Sequence, residues 1–212
     1  MRQPWERGDL IVSRTITADS ARGKEYAFSA ISQRERPFLD MRQMRSPQGE
    51  LRLFYRAEGC CTLVDRLLSC GRAGQLCLPE YLRLMEKLLT ALSQAEELLI
   101  LLPSFRIDLN TVLFHPASDA IRIAYVPVQH GKEGNEQVQS EAGICRSPGP
   151  VLLSLLEQLC DNDCGFCMRW PFLKEQLCEL ERHRAGKNRY SALLKRWRRE
   201  FPKEVLQRDW QG

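Results

Sequence analysis

Residues 79–128 constrain the fold of this chain more than any other stretch. Pro79 suits the first turn of an α-helix, where its missing N–H has no helical partner to lose. Apolar residues then recur at three- and four-residue spacing, which predicts a helix that is buried on a broad face and ends at Pro103. Two strands are predicted next, at 106–115 and 120–128, with a tight turn between them. A long helix that leads into a β-hairpin indicates a mixed α+β fold.

The N-terminal residues 1–58 are predicted to be rich in β-structure. Residues 9–16 and 26–32 have the composition of strands. Residues 42–55 predict a hairpin, because a Ser-Pro-Gln-Gly turn signal lies in their middle. Leucine and tyrosine alternate with other residues along the second arm, so we expect one face of that arm to be buried.

The remainder of the chain is predicted to be mainly helical. Thr62 is a good N-cap for a helix over 62–69. Residues 129–147 have no apolar periodicity and are predicted to form a long exposed loop. Three further helices are predicted, at 151–160, 166–182 and 190–199.

Charge divides the chain into a body and a tail. Residues 182–212 carry ten Lys and Arg against three Asp and Glu. The whole chain has 31 and 27 of these, which leaves 21 and 24 for residues 1–181, a net charge of −3. We predict one α+β domain over 1–181, with a β-rich part at 1–58 and a helix–hairpin core at 59–181, followed by the basic helical tail at 182–212.

The tail interleaves basic and aromatic residues, and two roles follow from this pattern. Apolar residues at helical spacing favour docking of the tail on the body, and they are Leu193, Leu194, Trp197 and Phe201. The alternative is contact with a polyanion, either nucleic acid or an anionic membrane surface, because Lys and Arg neutralise phosphate charges. The candidate residues for such a contact, or for contact with a protein partner, are Lys195, Arg196, Arg198 and Arg199.

Cys160, Cys164 and Cys167 form the sharpest motif of the chain. Their C-x3-C-x2-C spacing is similar to that of the cluster loop of radical S-adenosylmethionine enzymes, in which three thiolates hold an iron–sulfur cluster. Only 45 residues follow Cys167, too few for the barrel of that family. Cys178 adds a fourth thiolate, as a structural zinc site would require. We favour a third interpretation, in which these cysteines are small apolar residues on or beside packed helices, with at least two of the three buried.

Cysteine use and hydropathy also bear on location. No apolar run approaches the roughly 18 residues needed to span a bilayer, and the N-terminus has no signal-peptide pattern. The nine cysteines are therefore predicted to be reduced thiols in a cytoplasmic protein. The adjacent pair Cys60 and Cys61 is assigned to the core.

Other candidate groups do not form a catalytic pattern. His115, His130 and His183 share no ligand-like spacing and are predicted to be solvated. Asp108 is predicted to have a role at a turn or a sheet edge. We predict no catalytic residue, no cofactor-binding residue and no metal ligand.

An ordered set of segments resembles a bacterial family of unknown function that is found N-terminal to forkhead-associated domains in Firmicute proteins. The resemblance covers residues 37–179 and includes FLDMR, GELRLFYRAEGCCTLVDRL and RIDLNTVLFHPASDAIRIAYVPV. It implies that the pair Asp161 and Asp163 leads a helix containing Cys164 and Cys167. The 212 residues contain no forkhead-associated segment, so no phosphothreonine-reading module is expected here.

The central block also resembles a degenerate protein-kinase core, as in the pseudokinase domain of type VII secretion. In this alignment Arg106 stands at the position of the catalytic aspartate, and Thr111 replaces the metal-binding asparagine. Tyr125 replaces the second metal-binding aspartate. Phosphoryl transfer needs those groups to hold Mg²⁺ and to orient the nucleophile. The resemblance therefore implies neither kinase activity nor nucleotide binding.

These observations favour a non-catalytic cytoplasmic interaction or regulatory module in a bacterial signalling or secretion assembly, with a protein partner. Two alternatives stay open. One is a metal- or iron–sulfur-dependent enzyme that uses Cys160, Cys164 and Cys167. The other is a polyanion binder that works through the basic tail.

Overall fold

The computed structural model describes residues 11–16, 24–33, 37–47, 51–72, 74–100, 105–127, 151–182 and 189–201. They form seven α-helices and two three-stranded sheets. The helices are α1 Glu25–Gln33, α2 Leu63–Cys70, α3 Leu78–Glu97, α4 Val151–Cys160, α5 Cys164–Arg169, α6 Pro171–Glu181 and α7 Arg189–Glu200. The strands are β1 Ile11–Ile16, β2 Asp40–Arg45, β3 Leu51–Arg56, β4 Cys61–Thr62, β5 Val112–His115 and β6 Ala120–Ile123. The predicted α+β class, with strands early and helices late, is confirmed.

The first sheet contains the predicted N-terminal hairpin. Its strand order is β1-β3-β2, and both pairings are antiparallel. The hairpin register runs from Asp40 opposite Arg56 to Arg45 opposite Leu51. Leu51, Leu53 and Tyr55 are buried and alternate with more exposed residues, as the sequence predicted.

The prediction of a strand at 26–32 is wrong, because this segment is helix α1. Ala27, Phe28 and Ile31 are its buried residues. Their spacing of one and three fits one face of a helix, whereas a strand would bury every second residue. Short apolar runs of this kind do not separate the two structures by periodicity alone.

The second sheet has the order β4-β5-β6, and its strand β5 is buried along most of its length. The predicted hairpin is present, with strands shorter than predicted and a 3-10 helix, Pro116–Ser118, at its tip. The two sheets meet where the Leu39 N–H donates to the Ile123 carbonyl at 2.9 Å and the Ile123 N–H donates to Pro37 at 3.0 Å.

Helix α3 begins as predicted but ends at Glu97, not at Pro103. Leu99 takes a left-handed conformation, with φ of 58°. The helix ends in a turn here, in which the Ile100 N–H donates to the Ala95 carbonyl at 3.0 Å. This turn buries Ile100, an apolar residue that a continued helix would have carried further along its axis.

Helix α2 and the C-terminal helices are close to their predicted positions, with one exception. Helix α4 has the predicted bounds, and α2 has the predicted cap, because the Asp65 N–H donates to the Thr62 hydroxyl at 3.0 Å. The helix predicted at 166–182 is two helices, α5 and α6, which are separated at Trp170. A residue that precedes proline disfavours helical backbone, which explains the break before Pro171.

Helix α7 packs antiparallel on α3. The Tyr190 N–H, at its start, donates to Glu96 at 3.1 Å, and Arg198, at its end, bonds to Glu86 at 2.7 Å. Among the described residues, no helix combines the length and the apolar content that crossing a bilayer requires. The loop predicted at 129–147 and residues 202–212 of the tail lie outside the described residues.

Candidate functional site

The loop between α3 and β5 holds Arg106 and Thr111, two of the three residues that the kinase resemblance singled out. The Arg106 side chain forms an ion pair with Asp108, which is only 4% exposed. The Asn110 N–H donates to the Asp108 carboxylate at 2.8 Å. The Thr111 hydroxyl accepts from the Asp108 N–H at 2.9 Å and donates to the Arg106 carbonyl at 3.1 Å. The polar groups of this loop thus bond to one another, and the turn role predicted for Asp108 is confirmed.

Tyr125, the third residue that the kinase resemblance singled out, lies in an aromatic cluster. Its ring is 5.7 Å from that of Phe28, 5.9 Å from Phe38 and 5.6 Å from Phe105, between centroids. Tyr125 is fully buried, and its carbonyl accepts a hydrogen bond from the Tyr55 hydroxyl. The cluster joins α1 and β3 to the segment after β6. Three aromatic rings therefore pack around Tyr125, the residue that the kinase resemblance aligned with a metal-binding aspartate.

A charged groove lies between α3, the β5–β6 turn and α7. Its volume is about 310 Å³. Six of its lining residues are charged, namely Arg83, Lys87, Arg122, Arg198, Glu86 and Asp119. Arg83 bonds to Asp119 at 2.5 Å, and Lys87 bonds to it at 2.7 Å. Burial raises the pKa of Asp119, but Lys87 and Arg83 outweigh burial and hold that pKa below its usual range.

Sequence reasoning missed this groove. Arg83, Glu86, Lys87 and Thr90 recur at three- and four-residue spacing, which marks a polar stripe along α3. That stripe was the available signal. Its partner Asp119 lies 32 positions after Lys87 in the sequence, and no local pattern connects the two.

The four basic residues predicted to bind a polyanion or a partner do not form one patch. Arg196 donates to the Glu179 carbonyl at 3.0 Å, and Arg198 bonds to Glu86 at the groove. Lys195 is exposed, and the Arg199 side chain is 76% exposed.

The predicted apolar stripe of the tail does dock on the body. Trp197 and Phe201 are buried, with ring centroids 4.6 Å apart, and Leu194 is partly buried against the core. Leu193, which also belongs to the predicted stripe, is buried, and Tyr190, which the prediction did not include, completes this face.

The cysteine segment differs from prediction in two respects. Cys160 and Cys167 are joined by a disulfide with a Cα–Cα distance of 6.2 Å, so the prediction of reduced thiols is wrong for this pair. None of the three cysteines is fully buried, since Cys160 and Cys167 are partly buried and Cys164 is exposed. Their placement on or beside helices is as predicted.

The metal-dependent alternative requires three thiolates, and two of the three sulfurs here are bonded to each other. In the part of the chain that the structure describes, no group of three or more His, Cys, Asp or Glu side chains is placed to hold a metal ion. Cys60 and Cys61 pack against the core, and burial raises the pKa of both thiols.

Asp163 organises the start of α5. Its carboxylate accepts from the Gly165 N–H at 3.1 Å, from Arg169 at 2.6 Å and from the Leu76 N–H at 2.9 Å. These bonds, that of Arg169 above all, hold the pKa of Asp163 below its usual range. Asp163 is thus the N-cap of a helix that contains Cys164 and Cys167, while Asp161 is exposed.

The one described histidine has a local structural role. His115 accepts from the Ser118 N–H at 3.1 Å through Nδ1 and caps the 3-10 helix at the hairpin tip. It is partly buried, so the prediction of a solvated side chain holds only in part. His130 and His183 lie outside the described residues.

The fold and these sites define an α+β protein with a charged groove beside its basic helix. Its loop at 105–111 has polar groups that bond to one another. No protein-family model, no curated protein and no solved structure matches the chain. The resemblances drawn from its motifs therefore stay predictions.

Proposed function

We propose that this chain is a non-catalytic interaction or regulatory domain with a degenerate kinase-like core. Its setting would be the cytoplasm, within a bacterial signalling or secretion assembly, and its partner would be another protein. The observation that carries this proposal is the loop at 105–111, in which the polar groups bond to one another. The charged groove is the surface that we assign to the partner.

The order of elements supports the kinase-like part of the proposal. A kinase carries a lysine-bearing strand before helix αC, then a catalytic loop and a metal-binding aspartate further along the chain. Here β1 precedes α1, and α3 leads through the loop at 105–111 to the β5–β6 hairpin and Tyr125. The β1 sequence, IVSRTI, contains no lysine. This order is consistent with the kinase resemblance, and the residues that would perform the chemistry differ.

The chemistry of the substituted residues supports the absence of catalysis. Arginine is not deprotonated in proteins, so Arg106 cannot serve as a general base. Mg²⁺ prefers carboxylate oxygens and phosphate oxygens, which Thr111 and Tyr125 do not provide. Asp108 is the nearby acid, and its carboxylate is already bonded to Arg106 and to the Asn110 N–H.

Titration calorimetry with Mg·ATP tests this part of the proposal. We expect no measurable heat for the wild-type chain, and none for Arg106→Ala, in which the pairing of Asp108 is removed. A protein kinase of known activity serves as the positive control. A micromolar and Mg²⁺-dependent Kd for the wild-type chain would overturn the proposal.

The groove supports the assignment of a partner surface. It contains four cationic and two anionic side chains, so an acidic segment of a protein complements its net charge. The test compares co-purified proteins for the wild-type chain, for Arg122→Glu in the groove and for Arg42→Glu on exposed strand β2. We expect a partner that is retained by the wild type and the β2 variant and is lost by the groove variant. Equal recovery with all three chains would remove the groove from the proposal.

A polyanion contact is the second candidate function, supported by the exposure of Lys195 and Arg199. Labelled duplex DNA and vesicles with anionic headgroups are suitable probes at graded salt. If nucleic acid were the ligand, log Kobs would fall linearly with log salt, and the slope would decrease by about 1 for each phosphate-contacting residue removed. The double variant Lys195→Ala/Arg199→Ala should lose that binding, whereas Arg42→Ala/Arg45→Ala on β2 should retain it.

The metal-dependent alternative is addressed by elemental analysis of protein prepared anaerobically with reductant. Near-stoichiometric iron or zinc that is lost in Cys164→Ser would favour an enzyme over the interaction module. The reductant is needed because the bond between Cys160 and Cys167 must be open before both can act as ligands.

A further inference from the structure

We infer that Cys160, Cys164 and Cys167 form a thiol–disulfide exchange site, in which the exposed Cys164 opens the bond between the other two. Three sulfurs lie within eight consecutive residues, two of them bonded and the third a free thiol. The inference does not depend on the proposed function. It concerns a covalent change at one place in the fold.

Helix geometry places Cys164 within reach of the bond. Cys164 and Cys167 are both in α5, three positions apart. Side chains at this spacing lie on the same side of a helix, with Cβ atoms about 5–6 Å apart. Cys164 is therefore on the same side of α5 as Cys167 and is one helical turn from it.

Exposure separates the roles of the three cysteines. Cys160 and Cys167 are partly buried, so an external thiol has restricted access to their bond. Cys164 is exposed and open to small thiols from solvent. Thiol–disulfide exchange depends on access as well as on thiolate character. This arrangement favours a route through Cys164 over direct attack on the bond.

The exchange consists of balanced steps. The Cys164 thiolate attacks the Cys167 sulfur, the Cys160–Cys167 bond breaks, and Cys160 leaves as a thiolate that takes up a proton. The new bond between Cys164 and Cys167 has one exposed sulfur. A low-molecular-weight thiol attacks Cys164, which releases Cys167, and a second such thiol then releases Cys164. The protein gains two electrons and two protons, and the two external thiols leave as their disulfide.

The surrounding contacts allow the bond to open without loss of α5. Phe166 is fully buried, and its ring centroid is 5.6 Å from that of Tyr81 on α3. Asp163 caps the helix and also bonds to the Leu76 N–H, in the connection that leads to α3. These non-covalent anchors are independent of the disulfide. The bond therefore adds a tether between α4 and α5 that can be removed and remade.

The experiment measures opening of the bond by reduced glutathione in the full chain, purified without reductant. Samples are quenched with acid and alkylated, and the state of each cysteine is mapped by peptide mass spectrometry. We expect a Cys160–Cys167 bond at the start, and opening at least tenfold slower in Cys164→Ser than in the wild type. Cys178→Ser, which removes a partly buried cysteine of α6, is the matched control and should open at the wild-type rate.

A second variant tests the intermediate. Cys160→Ser, exposed to oxidised glutathione, should form a bond between Cys164 and Cys167, and a thermal melt by circular dichroism verifies that it is folded. Three results would each overturn the inference. They are free thiols at Cys160 and Cys167 in the unreduced wild type, wild-type opening rates in Cys164→Ser, and no bond between Cys164 and Cys167 in folded Cys160→Ser.

Discussion

Helix α3 is held at its two ends by different physical means. Its N-terminal end carries Glu80, which is 3% exposed and bonds to Arg66 at 2.7 Å and to Arg83 at 2.6 Å. Both guanidinium groups also lie over the ring of Phe114, at 5.2 and 5.4 Å from its centroid. Further along, α3 holds α7 through a buried apolar face that includes Trp197, and the pair of Glu86 with Arg198 lies at the rim. One contact depends on buried charge and the other on apolar area.

The difference concerns what happens when one partner is removed. Loss of a buried apolar side chain leaves a cavity, and its cost grows with the volume removed. Loss of a buried carboxylate leaves its cationic partners without their counter-charge. An exposed ion pair leaves groups that water solvates, so its removal costs little. These rules give an order of effects on the free energy of unfolding.

The largest expected effect is that of Trp197→Ala. Trp197 is 2% exposed, and truncation of a buried Trp or Phe to Ala typically costs about 3–5 kcal/mol. Urea denaturation of the whole chain measures the change, and Trp197→Phe should lose less because it leaves a smaller cavity. A loss within the range of an exposed ion pair, about 0–1 kcal/mol, would contradict apolar docking of α7.

The next effect is that of Glu80→Gln, which breaks the charged contact. We expect a loss of about 2–3 kcal/mol, below the usual cost of breaking a fully buried pair. The reason is that the side chains of Arg66 and Arg83 are 32% and 31% exposed, so water solvates part of the charge left behind. Lys174→Ala is the control, because it breaks an ion pair in which both side chains are more than half exposed. Equal losses for the two variants would remove the distinction between the contacts.

The pH dependence of stability should separate two buried carboxylates. Burial raises the pKa of Glu80, but Arg83 and Arg66 outweigh it, so the folded pKa lies below 4.5. Burial raises the pKa of Glu181, and the N–H donors of Leu152 and Leu153 do not offset it, so its folded pKa lies above 4.5. The stability contributed by Glu80 is present above pH 4.5 and is lost as pH falls through the folded pKa. That of Glu181 is present below pH 4.5 and is lost as pH rises through the folded pKa.

Denaturant melts of Glu80→Gln and Glu181→Gln at graded pH test these signs. Acidification should reduce the advantage of the wild type over Glu80→Gln. Acidification should increase the free energy of unfolding of the wild type relative to that of Glu181→Gln. The same trend for both variants would show that cationic partners do not distinguish these sites.

The smallest effect is expected for Arg198→Ala/Arg199→Ala. Their side chains are 58% and 76% exposed, and such pairs contribute about 0–1 kcal/mol. A urea melt of the double variant should nearly overlay that of the wild type. A loss as large as that of Trp197→Ala would mean that charge, not apolar area, holds α7.

Local patterns in the sequence predicted much of this fold. The Thr62 cap, the bounds of α4, both hairpins and the apolar stripe of α7 depend on residues that are close in the chain. The segment at 26–32 was assigned wrongly because its short apolar run fits both helical and strand patterns. The end of α3 was predicted at Pro103, which is too late, because the left-handed conformation of Leu99 ends the helix earlier.

The candidate sites were less accessible to such patterns. The sequence identified Cys160, Cys164 and Cys167 as a group, but it predicted reduced thiols and missed the bond between Cys160 and Cys167. It identified Arg198 as a basic tail residue, and only the structure places it against Glu86 at the groove. Arg106 and Thr111 were singled out by resemblance, while the bonds that join both of them to Asp108 are visible only in the structure.

Two helix caps illustrate the division between sequence and tertiary structure. Glu96 accepts from the Tyr190 N–H, 94 positions later in the chain, and Glu181 accepts from the Leu152 N–H, 29 positions earlier. The sequence by itself determined most of the helical segments, because apolar spacing, prolines and local caps act within a few residues. Only the tertiary structure decided which buried carboxylate meets which helix terminus and which sulfurs bond. Those partners are brought together by packing of the whole core, and a periodic pattern within one segment contains no information about them.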